Sequence, residues 1–184
     1  MSEVSEKRTC RAVVFAYSAV GCECLKVLLE QGVDVRLLYT HRDDPGEVRW
    51  FDSVGDLARA RGLSVLTPDV LSGEVERVRS AAPDVIFSFY YRSLIPMSVL
   101  NLAPLGAFNL HGSLLPRYRG RACVNWAVLN GEPETGVTLH HMTARADRGN
   151  VVDQIAVPIG PDETAIEVFR KLVPAAGAAL RRSL

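Results

Sequence analysis

No apolar run in the chain approaches the length needed to span a bilayer, which argues against a membrane anchor. Charge of one sign is missing as well. The 21 Lys and Arg side chains are matched by 21 Asp and Glu, so the formal net charge is zero. Phosphate-dominated binding leaves a basic footprint, so this balance argues against a general nucleic-acid or membrane-surface binder. Cysteine is scarce: Cys10, Cys22, Cys24 and Cys123. Cys22 and Cys24 have no second pair at metal-ligand spacing, so no metal site is expected and the thiols read as the reduced cysteines of a cytoplasmic protein. Met1 to Arg11 is polar and lacks the apolar stretch of a signal peptide. Residues 1–10 are read as a frayed leader, and 11–184 as one domain.

Glycine is sparse where two large nucleotide-binding classes need it. The loop after the first apolar segment reads Ala16-Tyr17-Ser18-Ala19-Val20-Gly21, one glycine where a dinucleotide fingerprint needs three, and no Walker-type lysine follows. A nicotinamide or ATP role for that loop is therefore weakly supported. Ser113 is not framed by a G-x-S-x-G elbow, so a serine nucleophile has no support either.

What the sequence does have is alternation. Arg11–Tyr17, Val33–Thr40, Leu63–Leu66, Val85–Phe89, Gly106–His111, Gly136–Met142 and Asn150–Val157 read as strands. Between them, Val20–Gln31, Asp52–Arg61, Glu74–Ala82, Ser93–Asn101 and Ala122–Asn130 read as helices. A last helix, with Asp162 and Thr164 as capping residues, runs to the C-terminus. The Asp43-Asp44-Pro45-Gly46 stretch signals a turn and loop. Strands apolar on both faces, alternating with helices, predict an α/β domain with a mostly parallel sheet covered on both sides. Apolar residues at 48% and charged residues at 23% of 184 positions suit one globular domain with a substantial core.

One strand carries conspicuous chemistry. Asn109-Leu110-His111 closes an apolar strand and is followed by Gly112-Ser113-Leu114-Leu115-Pro116-Arg117-Tyr118-Arg119-Gly120. Residues two apart on a strand share a face, and strand carboxyl ends are where α/β proteins bind ligands. Asn109 and His111 are thus expected to project into a site together. Asp147 lies in the polar segment Thr143-Ala144-Arg145-Ala146-Asp147-Arg148-Gly149 between two predicted strands. An amide N–H stabilises an oxyanion, an imidazole moves a proton, and a carboxylate orients the imidazole and favours its charged form. That trio suits acyl transfer, and with no placed nucleophile the transfer is expected to be direct.

The N-x-H strand end, the S-L-L-P loop and the later Asp147-Arg148-Gly149 together resemble the folate-dependent formyltransferase family, from about Val13 to the C-terminus. Within it, Phe87-Ser88-Phe89-Tyr90-Tyr91-Arg92, Thr40-His41 and Asp44-Pro45-Gly46-Glu47 look most like one branch. That branch is the formyltransferase domain of the bifunctional polymyxin-resistance enzymes, which formylates UDP-4-amino-4-deoxy-L-arabinose. The resemblance implies a Rossmann-like three-layer fold. It also implies 10-formyltetrahydrofolate as formyl donor, and a nucleotide-linked amino sugar whose amine attacks through a tetrahedral intermediate. Asn109, His111 and Asp147 would be catalytic. Ser93, Leu94, Ile95, Thr143, Ala144, Arg145, Ala146 and Asp147 would hold the folate largely through main-chain groups, with Arg121 contacting folate or sugar nucleotide. The chain departs from the pattern in two places. Arg121-Ala122 leads to Cys123 where these relatives have proline, and the β-rich C-terminal subdomain of close relatives is lacking. Methionyl-tRNA or glycinamide ribonucleotide as acceptor, water as acceptor, and a folate-binding module without turnover stay open. Glycinamide ribonucleotide enzymes typically have proline where Gly112 stands. No nucleic-acid or membrane partner is expected, and an oligomer is possible.

Overall fold

The computed structural model describes residues 9–42, Gly46 and residues 50–184. Residues 1–8 of the leader predicted over 1–10, and most of the Asp43–Glu47 turn and motif, lie outside the described residues. Strand β1 (Arg11–Ala16) leads into helix α1 (Ser18–Glu30), β2 (Asp34–Tyr39), α2 (Val54–Ala60) and the short β3 (Val65–Leu66). A 3-10 turn at Leu71–Glu74 precedes α3 (Val75–Ala81), β4 (Val85–Phe89) and α4 (Met97–Leu100). The chain continues through β5 (Ala107–His111), α5 (Cys123–Leu129), β6 (Glu134–His141), β7 (Val151–Pro158) and α6 (Ala165–Ser183).

The described strands form one sheet in the order β3-β2-β1-β4-β5-β6-β7. Pairs from β3 through β5 are parallel, and β5–β6 and β6–β7 are antiparallel. The mostly parallel α/β sheet expected from the alternation is what forms. β1 shows why: Ala12, Val14 and Ala16 pack with Leu25 and Leu28 of α1 and Leu172 and Leu180 of α6. The intervening Val13 and Phe15 pack on the opposite face with Val78 of α3 and Val99 of α4. A period of two on a strand sends alternate side chains to two helical layers, so a strand buried on both faces must be apolar throughout. Among the described residues no helix is long and apolar enough to cross a membrane.

Several boundaries differ from the sequence reading. Over Ser93–Asn101 only Met97–Leu100 is helical, and Ser93, Leu94 and Ile95 lie in an irregular segment. Pro96 explains this, because the residue before a proline is pushed out of the α region. The segment read as a helix from Glu74 begins as a 3-10 turn at Leu71, and Ala82 ends it in a left-handed conformation at φ 46°. Of the two capping residues expected for the last helix, Thr164 is the N-cap, in a capping box with Glu167.

β1 and β4 are neighbours, yet the chain goes from β1 outward to β2 and β3 before returning. Between them lies the point where strand order reverses, and ligands bind beyond the carboxyl ends of strands at such a point. The carboxyl ends of β1, β4 and β5 converge there.

Candidate active site

Asn109 and His111 leave the end of β5 on the same face, and both border a cavity of about 660 Å³. The antiparallel register sets Asn109 opposite His140 and His111 opposite Thr138 of β6. Asn109 Nδ2 lies 3.1 Å from His140 Nε2, and His140 Nδ1 lies 2.9 Å from the His141 carbonyl oxygen. A carbonyl only accepts, so Nδ1 of His140 carries a proton and Nε2 accepts from the Asn109 amide. This contact fixes which way Asn109 faces and leaves its second N–H free. The same logic applies to His111. Its Nε2 donates to the Tyr118 carbonyl at 2.8 Å, leaving Nδ1 as the atom that gains a proton.

Nδ1 of His111 and Nε2 of His140 each lie 3.6 Å from the same oxygen, Oδ1 of Asp147. At that separation the contacts are electrostatic rather than tight hydrogen bonds. Asp147 is held in place otherwise: its Oδ2 accepts the Gly120 N–H at 2.9 Å and its carbonyl accepts from Arg119 Nε at 2.9 Å. Its backbone is left-handed, φ 54°, a conformation that aspartate tolerates better than most residues. Burial alone pushes the Asp147 carboxyl up. The His140 and His111 rings in their charged form, together with the Gly120 amide, outweigh it, and the net direction is below the usual carboxylate range. A depressed folded value stabilises the protein above the unfolded value and is lost as pH falls through it. Denaturation from about pH 7 down to about pH 3 should therefore show the stability gap between wild type and Asp147→Asn shrinking.

The loop after β5 is pinned from below by Thr138, which is fully buried. Its hydroxyl donates to the Ser113 carbonyl at 2.6 Å and accepts from the Leu115 N–H at 3.1 Å and Gln154 Nε2 at 2.9 Å. Thr138→Val keeps the shape and strands those partners. It is expected to cost about 2 kcal/mol, read as a lower urea midpoint.

A second cavity, about 290 Å³, is bordered by Asn109 and Asp147 of the trio. Ser93, Leu94 and Ile95 line one wall, and Thr143, Ala144, Ala146 and Asp147 another, with Asn109 and His140 between them. Asn109 therefore borders both cavities. Arg145 is exposed and outside this lining, though its carbonyl accepts the Thr143 hydroxyl at 2.8 Å. Arg121 borders the larger cavity instead, its Nη2 donating to the Arg92 carbonyl at 2.7 Å. Arg92 in turn lays its guanidinium over the Tyr17 ring, 4.4 Å from the centroid. Its backbone N–H donates to His41 Nε2 at 2.9 Å. Burial, then Arg92 and Arg121, holds His41 below its ordinary range, consistent with that unprotonated nitrogen.

Ser18, Tyr90 and His140 were missed in the sequence reading. Ser18 opens α1 and Tyr90 follows β4, and both border the larger cavity. A lone hydroxyl gives no pattern to read. The buried Cys123 thiol also borders this cavity, with its pKa pushed up to about 11 by burial, so it is not a thiolate nucleophile.

A model of the family described as formyl transferase matches residues 18–184. The chain belongs to the formyl transferase family. Solved structures agree on the fold. The chain is similar to glycinamide ribonucleotide transformylase 1 from Symbiobacterium toebii at 21% identity and a TM-score of 0.83, covering 100% of this chain and 89% of that one. It is also similar to an N-formyltransferase from Helicobacter canadensis in complex with folinic acid and dTDP-3-aminofucose, at 21% identity and a TM-score of 0.74, over 95% of this chain and 62% of that one. A formyltetrahydrofolate deformylase from Pseudomonas syringae pv. tomato matches at 18% identity and a TM-score of 0.81, over 96% of this chain and 60% of that one. The three similar structures are a transformylase, an N-formyltransferase and a deformylase, and their likeness to this chain is one of fold.

Proposed function

We propose that residues 11–184 form a catalytic domain that moves a formyl group from 10-formyltetrahydrofolate to the amine of a nucleotide-linked amino sugar, of the UDP-4-amino-4-deoxy-L-arabinose kind. The observation that carries this reading is that Asn109, beside His111 and Asp147, borders two cavities at once. A donor on one side and an acceptor on the other would meet at its amide.

The smaller cavity fits the folate. Its lining combines apolar side chains such as Ile95 and Met97 with the short segments Ser93–Ile95, Thr143, Ala144, Ala146 and Asp147, suited to a flat heterocycle held by main-chain groups. When bound there, a formyl-folate supplies an activated formyl carbon. The chain's own groups do the rest. Asn109 aims its free N–H at the negative charge that develops on the formyl oxygen. His111 takes up the amine's proton at Nδ1, with the resulting charge held by Asp147 at 3.6 Å, and passes that proton to the folate nitrogen as its bond to the formyl carbon breaks and tetrahydrofolate leaves.

The larger cavity fits a nucleotide-linked amine. Phe51 packs edge-on to Tyr17 and Trp50 edge-on to Phe169, leaving aromatic faces for a base. Ser18 at the start of α1, with Arg92 and Arg121, offers a helix amino end and two cations to a diphosphate. Arg121 is accordingly assigned to the acceptor. The neighbour in complex with dTDP-3-aminofucose supports this choice. The test is a formylation assay with 10-formyltetrahydrofolate over UDP- and dTDP-linked amino sugars, glycinamide ribonucleotide and charged initiator tRNA. Turnover confined to the sugar nucleotides is expected. Turnover of glycinamide ribonucleotide or tRNA alone would reject the acceptor while keeping the chemistry.

A further inference from the structure

Three neighbouring strands, β2, β1 and β4, end side by side in the sheet. His41 follows β2, Tyr17 follows β1, and Tyr91 and Arg92 follow β4. These four residues form a cluster over the strand ends. The His41 ring stacks on Tyr91, with centroids 4.2 Å apart and planes 18° from parallel, and meets Tyr17 edge-on at 5.3 Å. Its Nε2 accepts the Arg92 backbone N–H at 2.9 Å, joining the ends of β2 and β4 across β1. Burial, then Arg92 and Arg121, disfavours the charged ring, and an uncharged ring keeps Nε2 as an acceptor.

Arg92 is thereby held on both sides. Its N–H is bound by His41, and its carbonyl accepts Arg121 Nη2 at 2.7 Å. Its guanidinium lies over the same Tyr17 ring that His41 meets edge-on. Arg92 and Arg121 are exposed, and both border the larger cavity. Among the described residues neither has a carboxylate partner: one leans on a ring and the other on a carbonyl. Two cations brought together without a counter-ion repel each other and suit an anion. Fixing long side chains costs rotamer freedom, so their placement depends on the backbone beneath them.

We infer that His41 is a positioning residue for acceptor binding. Through the Arg92 backbone it holds the Arg92 and Arg121 guanidinium groups where they bind the diphosphate of the acceptor. His41 itself touches no reacting atom. The inference rests on the nucleotide-linked acceptor proposed above and deepens it.

Two variants separate the hydrogen bond from the packing. His41→Phe keeps a flat ring against Tyr91 but has no acceptor, whereas His41→Gln restores an acceptor near the position of Nε2. Each is compared with wild type in steady-state kinetics with 10-formyltetrahydrofolate and the acceptor panel above, in calorimetric titration with UDP alone, and in thermal melts. His41→Phe should raise the acceptor KM and the Kd for UDP about tenfold, while kcat and the folate KM stay within about twofold. His41→Gln should bring both back to within about threefold of wild type. A merely structural role would move kcat and the folate KM as well. With wild type active, an unchanged acceptor KM and UDP Kd in His41→Phe would overturn the inference and leave the formyl-transfer reading standing. So would a folded His41→Gln protein whose acceptor affinity is about tenfold weaker than wild type, even where His41→Phe does not fold. Wild type that neither binds UDP nor formylates a sugar nucleotide would overturn both.

Discussion

Replacing His111 with alanine is expected to lower kcat/KM for formyl transfer by about 1,000-fold or more while the protein stays folded. The size follows from what the ring does. Nδ1 is the atom of this histidine that gains a proton, because Nε2–H is already committed to the Tyr118 carbonyl. Removing the ring removes the proposed proton acceptor and, with it, the imidazolium that forms opposite Asp147 on transfer. The fold should survive. The Tyr118 carbonyl keeps a second, longer contact with Ser113 Oγ at 3.3 Å, and Ser113 remains anchored to the Arg117 carbonyl at 2.7 Å. Circular dichroism and a melt separate loss of chemistry from loss of structure. Turnover within about tenfold of wild type would remove His111 from the mechanism.

Gly149→Ala is expected to produce the largest structural effect near the site. A Cβ at Gly149 would overlap the His141 carbonyl oxygen and lie 2.7 Å from its carbonyl carbon. Backbone cannot swing aside as a side chain does, so the 147–150 segment or the end of β6 has to move. Both matter. The His141 N–H donates to the Asn150 carbonyl at 2.9 Å, and the His141 carbonyl holds the His140 ring that orients Asn109. A loss of about 3 kcal/mol, or about 10 °C in Tm, is expected. Turnover should fall further than Tm accounts for, because Asp147 and Asn109 both lose their supports. A variant as stable and active as wild type would mean that the 147–150 segment is free to relax.

Much of this arrangement was legible in the sequence, for reasons that differ from residue to residue. The β-α alternation and the doubly apolar strands define the layers, because a strand buried on both faces has no other pattern available. Asn109 and His111 could be placed on one face from a spacing of two. The helix Met97–Leu100 is shorter than the pattern over Ser93–Asn101 predicts, because Pro96 holds the residue before it out of the helical region. His140 could not be singled out, since its importance comes from an antiparallel register that sets it opposite Asn109. Asp147 reaches the two imidazoles through a left-handed turn and a bond from Gly120, neither of which periodicity encodes. Ser18 and Tyr90 acquire meaning only when a cavity appears around them. The sequence leaves Arg121 between folate and sugar nucleotide, because only the fold shows which cavity it borders, the larger one.

In the proposed reaction the amine, rather than water, receives the formyl group at Asn109 and His111. This is tested most directly by following tetrahydrofolate release from 10-formyltetrahydrofolate with and without UDP-4-amino-4-deoxy-L-arabinose. Release is expected only when the amine is present, one tetrahydrofolate for each formamide formed. Release at the same rate without the amine, with formate as the product, would contradict it.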